Sequence, residues 1–203
     1  MSEKVPIAAP KRSSVEDYLV SERQHTLRNE FMNGQVISRS GSNRWHNLIV
    51  SNAAVAIGSR LHGHKIDIYI SGMRVRMSAN MVSYPDIVLV NGEPSFADQN
   101  LDLLQNPTVV VEIFSSKTNT SDKTKKMEAF LAMESIKECL MIKEDEMRIE
   151  HYARQNAKQW IYRIYNERDD VVSLESVNCK IALSEVYSQI KFAQAEISSR
   201  AVN

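Results

Sequence analysis

Two short apolar runs constrain this chain more than anything else in it. The first is Ser83-Tyr84-Pro85-Asp86-Ile87-Val88-Leu89-Val90, and the second is Val109-Val110-Val111-Glu112-Ile113-Phe114-Ser115. Both are rich in β-branched residues and read as buried strands. Each carries one carboxylate, Asp86 in the first and Glu112 in the second. An ionised carboxylate in a buried strand requires a partner, and a bound cation is one solution. Two carboxylates at the ends of adjacent strands can share one Mg²⁺, a hard ion that takes oxygen ligands.

The rest of the chain supplies the frame for these strands. Ser13-Ser14-Val15-Glu16 has the spacing of a capping box, with Ser13 as cap, and opens a short helix through Leu19. Asn33-Gly34, between Glu30-Phe31-Met32 and Gln35-Val36-Ile37, predicts a two-residue hairpin, because both turn residues accept positive φ. Trp45 to Leu61 is helical, with Leu48, Ile49, Val55, Ile57 and Leu61 as its apolar residues, and Gly63 follows as a left-handed cap. Lys65–Ile70 and Met73–Met77 alternate as strands, with Arg74 and Arg76 on the polar face of the second. Asn91 to Asn106 reads as a surface connection. A helix over Ser121–Glu134 follows the Glu112 strand. Strands over Glu138–Lys143, Met147–Tyr152, Trp160–Tyr165 and Val171–Leu174 come next, then a short helix at Leu183–Tyr187. This order predicts an α/β or α+β fold around a mixed sheet. The 203 residues suit a single domain over residues 13–195 with flexible tails at 1–12 and 196–203.

Composition narrows the function classes. With 25 basic and 25 acidic residues the formal net charge is zero, so a highly charged partner must be met by a local patch. Cys139 and Cys179 have no metal-ligand spacing and read as free thiols, which points to a reducing, cytoplasmic setting. No run has the length of a membrane span.

Four polar residues interrupt apolar patterns: Glu30, Asp86, Glu112 and Lys126. Met127, Phe130, Leu131 and Met133 form the apolar stripe of their helix, and Lys126 falls inside it, whereas Lys125 points away and Lys123 competes for the same face. These parts suit phosphodiester hydrolysis. Asp86 and Glu112 would hold Mg²⁺ (or Mn²⁺) with the help of a backbone carbonyl such as that of Ile113, and Glu30 would complete the shell directly or through water. Lys126 would orient the attacking water and stabilise charge on the phosphate. His46, Ser115 and Ser116 are further candidates. Arg74 and Arg76, joined by Arg39, Arg44 and Arg60, could form a basic groove for a nucleic-acid backbone. His62 and His64 read as surface residues.

The ordered set resembles a known family. Val15-Glu16-Asp17-Tyr18-Leu19, Glu30 through Val36, His46, Tyr84-Pro85-Asp86-Ile87-Val88, Asn106-Pro107 with Val110 through Ser115, and Asp122, Lys126 and Phe130 at helical spacing are similar to the PD-(D/E)xK nuclease superfamily. Within it they resemble the Uma-type restriction-endonuclease-like proteins. The resemblance covers residues 14–192. It implies an α-β-β-β-α-β core, Mg²⁺-dependent cleavage of nucleic acid (DNA before RNA), and a lysine supplied by the helix, since the superfamily's usual lysine position holds Phe114 here. Glu138 through Ile142 and Phe130 depart from the family's aromatic preferences. A homodimer through late, exposed strands is a further expectation. The alternative is a catalytically silent member of the fold that binds nucleic acid or a protein partner.

Overall fold

Ser14, one residue later than the spacing around Ser13 suggests, starts the first helix, α1 (Val15–Glu22). Its hydroxyl accepts from the Asp17 amide at 3.0 Å, and the Asp17 carboxylate accepts from the Ser14 amide at 3.3 Å. Aspartate thus closes the box that Glu16 was expected to close, and Glu16 faces Arg76 instead, 3.5 Å away. The structure is a computed structural model and describes residues 13–39, 42–115 and 120–192. The two tails, Ser116 and Lys117 lie outside the described residues.

Strands β1 (Asn29–Met32) and β2 (Gln35–Ser38) form the hairpin. Asn33 and Gly34 both take positive φ, 51° and 85°, as a twist-matched two-residue turn requires. Helix α2 (Arg44–Leu61) is capped by Asn43, whose side chain accepts from the amides of Trp45 and His46 at 2.8 and 3.0 Å. Its inner face is Ile49, Val50, Ala53, Ala56, Ile57 and Leu61. Val55, expected among the apolar contacts, is exposed. The small Ala53 and Ala56 are buried on this face and let the helix lie close to the sheet. Gly63, at φ 85°, turns the chain out of the helix.

Strands β3 (Ile66–Ile70) and β4 (Arg74–Ser78) fall where the alternation puts them. The run from Ser83 to Val90 does not stay one strand. It ends β5 (Met81–Ser83), crosses Tyr84-Pro85-Asp86, and resumes as β6 (Ile87–Asn91). Pro85 cannot donate to a ladder, so the chain changes sheets there. Two buried residues within the expected surface connection form β7 (Leu103–Leu104). Then come β8 (Val109–Phe114), α3 (Thr120–Ala132), β9 (Glu138–Lys143), β10 (Ile149–Asn156), β11 (Gln159–Tyr165), β12 (Val171–Leu174), β13 (Cys179–Ala182) and α4 (Leu183–Val186).

Among the described residues the strands make a six-stranded sheet, β11-β10-β9-β8-β6-β3, and a five-stranded sheet, β2-β1-β5-β4-β7, with β12 and β13 paired separately. The single central sheet of the sequence reading is therefore two sheets joined through Pro85. In the larger sheet β8 and β9 are parallel and α3 is the crossover between them, while the other pairs are antiparallel. Alternation along β8 sends Val109, Val111 and Ile113 into the core under α2, α4 and the β12–β13 pair. Val110 and Phe114 face the other way, toward α3. Glu112 shares that second face. Cys139 and Cys179 are buried free thiols, and among the described residues no helix is long and apolar enough to cross a membrane.

Candidate functional site

The hairpin, the start of α2, β8 and α3 converge on one cavity of about 440 Å³. Glu30, Arg39, His46, Glu112, Lys123 and Lys126 are among the residues that line it. The four residues singled out in the sequence are brought together here. Lys126 Nζ stands 2.8 Å from Glu30 Oε1 and 2.7 Å from Glu112 Oε1, bridging the hairpin to the large sheet. Glu30 is further held by the Ser83 hydroxyl at 2.7 Å and the Tyr84 amide at 3.2 Å. Asp86 is next to Glu112 in space, because β6 pairs with β8 and the Ile113 amide donates to Asp86 Oδ2 at 2.8 Å.

Asp86 does not line the cavity directly. It is 1% exposed. Two cavity-lining residues hold it: Arg39, whose guanidinium is 2.6 Å from Oδ1, and His46, whose Nε2 is 3.2 Å from Oδ2. His46 reaches the site because Asn43 sets the start of α2, which fixes the direction of the helix's first turn. Arg39 is legible only through the hairpin. Glu30 is paired with Ile37, so Ile37 and Arg39, two residues apart, share the face of Glu30. Arg39 is on Asp86 rather than in a basic groove with Arg74 and Arg76, and that groove does not assemble from the described arginines. Arg74 is buried on Asp102, Arg76 faces Glu16, Arg60 pairs with Glu185, and Arg44 stacks on Trp45. Lys123, the competitor to Lys126, turns instead toward Glu150 at 3.5 Å and over the Phe114 ring at 3.6 Å. Ser115 lines the cavity mouth, and His62 and His64 are exposed.

The electrostatics set the chemistry. Burial pushes the Glu112 carboxyl up to about 7; the Lys126 ammonium pulls it down, and the negative charges of Asp86 and Glu30 push it up further. Burial opposes the charge on Lys126, but Glu112 and Glu30 outweigh it and hold the amine above the usual lysine range. These two shifts pull on one contact from both ends. Lys126 keeps its proton because it serves two carboxylates, and Glu112 is the member that takes up a proton near neutrality. Burial likewise opposes ionisation of Glu30 and Asp86. Lys126 holds the first below the usual carboxylate range, and His46 and Arg39 hold the second there. His46 is raised by Asp86 against the effect of its own burial.

Three carboxylates thus share a site with two permanent cations and one imidazole, and Glu112 is the one short of positive charge. Among the described residues no three His, Cys, Asp or Glu side chains form a ready cage for a metal. Paired oxygen donors with an electrostatic deficit fit a hard divalent ion that keeps several of its waters, rather than an ion needing a complete protein cage. The residues that would hold it are Asp86 and Glu112, with Glu30 beside them.

Comparison with known proteins bears on the family and the fold. The sequence model of the Uma2 family, described as "Putative restriction endonuclease", matches residues 15–184. An uncharacterized protein of Synechocystis, sll1609, is 27% identical over 156 residues, 76% of this chain and 88% of that protein. A second uncharacterized Synechocystis protein, slr1290, is 23% identical over 92% of this chain and 97% of its own length. Among solved structures, a crystal structure from Anabaena variabilis described as a putative nuclease of DUF820 superposes with a TM-score of 0.72. It covers 88% of this chain and 99% of its own at 16% identity, a likeness of fold.

Proposed function

The chain belongs to the Uma2 family of putative restriction endonucleases, and from that premise we propose that it is a divalent-metal-dependent endonuclease that hydrolyses phosphodiester bonds in DNA. The observation that carries the reading is Lys126 bridging Glu30 and Glu112 at the wall of a cavity, with Asp86 behind it. Asp86 and Glu112 would hold Mg²⁺ or Mn²⁺, Glu30 would complete the shell directly or through water, and a backbone carbonyl such as that of Ile113 would assist. The bound cation supplies polarisation of the scissile phosphate and a lowered pKa for the attacking water.

The chain's own residues do the rest. Lys126, kept protonated by two carboxylates, donates to the phosphate oxygens as charge grows on them and orients the water beside them. Glu30, fixed by Ser83 and Tyr84, would hold the amine in place were Glu112 engaged by a cation. Phe114 and Met141 wall the cavity with apolar surface, which strengthens each charge interaction inside it.

A second reading, a silent scaffold that binds nucleic acid or a protein, is favoured by one observation: both Asp86 oxygens are already satisfied by protein donors. Nicking of supercoiled plasmid in Mg²⁺ or Mn²⁺ separates the two. The nuclease reading expects cleavage by the natural protein and its loss in D86A and E112A, with unchanged circular dichroism. Cleavage retained in both variants overturns the site assignment, and no cleavage under any divalent cation favours the scaffold.

A further inference from the structure

The Arg39–Asp86 contact conflicts with metal binding at Asp86, and the conflict is informative. Arg39 and Asp86 are 2.6 Å apart, and the remaining Asp86 oxygen is taken by the Ile113 amide and His46. A buried carboxylate stays ionised only while positive or hydrogen-bonding partners surround it. A divalent cation and a guanidinium cannot share it, because both charges would lie within a few ångströms in a site largely shut off from water. Cation and arginine must exchange. Arg39 can leave without crossing the core, since its side chain lines the cavity and is 24% exposed.

When it leaves, its planar fork faces the same cavity as Lys126. The neighbouring carboxylates, Glu30 and Glu112, are already engaged by that amine. A phosphate diester entering the cavity offers the anionic oxygens that a guanidinium binds best.

We infer that Arg39 is a latch: it occupies Asp86 in the metal-free protein and, displaced by the cation, becomes the ligand of a substrate phosphate. This rests on the nuclease reading of the site. It predicts opposite signs for two affinities, which a merely structural arginine would not produce.

The test is titration calorimetry with Mn²⁺ alone, beside binding of a short DNA duplex in Ca²⁺, on the natural protein, R39M and R39K. Removing the competitor in R39M tightens Mn²⁺ by about tenfold and weakens duplex binding by about tenfold. R39K keeps the charge but not the fork, so its Mn²⁺ affinity stays near the natural value while duplex affinity falls severalfold. R39K carries the test if R39M does not fold. Unchanged or weaker Mn²⁺ binding in R39M overturns the latch, as does unchanged duplex binding in either variant. If the natural protein binds Mn²⁺ in a manner that D86N abolishes, such a failure belongs to the latch alone. If it shows no Mn²⁺ binding that depends on Asp86, the nuclease reading fails and the latch falls with it.

Discussion

Two buried glutamates on neighbouring strands, Glu112 on β8 and Glu138 on β9, meet opposite treatment. Glu138 is 2% exposed and accepts from four donors: His151 Nε2 at 3.1 Å, the Glu175 and Ser176 amides at 3.1 and 3.0 Å, and the Ser176 hydroxyl. Burial opposes its charge, yet His151 and Ser176 hold its carboxyl below the usual range. Glu112 is 6% exposed and sits at a cavity with Lys126 as its charged partner, and burial drives it up to about 7. One carboxylate is saturated by its own fold and fastens the 3₁₀ turn at Glu175–Val177 to the sheet. The other is kept short of donors where a ligand can reach it. A buried acid points to function when the protein leaves it incompletely satisfied, and burial alone does not distinguish the two cases.

Substitution should separate them most sharply. E112Q removes a negative charge that the site cannot compensate fully, so cleavage falls by about 10³-fold or more while thermal stability holds or rises. E138Q places an amide N–H against two of the four donors, so it lowers stability by about 2–3 kcal/mol and leaves cleavage per folded molecule intact. Plasmid nicking and chemical denaturation of both proteins read the two outcomes. If E138Q loses cleavage and E112Q loses stability, the contrast is reversed. Next in size is K126M. Its rate should drop by about 10²-fold or more, with a partial loss of stability, because protonation of Glu112 relieves the unpaired charge.

The acidity of Glu112 gives a third, smaller effect with a definite sign. Its carboxyl sits at about 7 in the folded chain against an ordinary 4.5, so the folded state holds the extra proton between those values. Metal-free stability therefore falls as pH rises through that window, by about 2–3 kcal/mol. His46, raised by Asp86, adds the same sign above its ordinary 6.5. Urea unfolding at about pH 5 and about pH 8 checks this, and saturating Mg²⁺ should flatten the slope. By the same linkage, Mg²⁺ binding tightens as pH rises toward about 7 and releases a proton, visible as a buffer-dependent heat. The smallest effect lies far from the site. S14A should cost about 1 kcal/mol through the lost cap of α1, with no change in cleavage.

Much of the site was legible in the sequence, for physical reasons that can be traced. Asp86, Glu112 and Lys126 stood out because each interrupts an apolar period, and Asn33-Gly34 fixed the hairpin that carries Glu30. The split of the Asp86 run into β5 and β6 was available in Pro85, but its consequence, a change of sheet, depends on long-range pairing that no local pattern encodes. Arg39 was misassigned to a groove because charge alone does not say which partner an arginine meets. The two-residue register of the hairpin placed it on the face of Glu30. His46 and the Glu138 cluster depend on how α2 and the 3₁₀ turn pack, and nothing in their local sequence announces a partner.

The central claim is that Asp86 and Glu112 together bind one divalent cation beside Lys126. The most direct measurement is the anomalous signal of Mn²⁺ in crystals of the natural protein. The account predicts one strong peak about 2.1–2.2 Å from a carboxylate oxygen of each residue, with the Arg39 guanidinium withdrawn from Asp86. A fully soaked crystal with no peak there, and Arg39 still on Asp86, would contradict it.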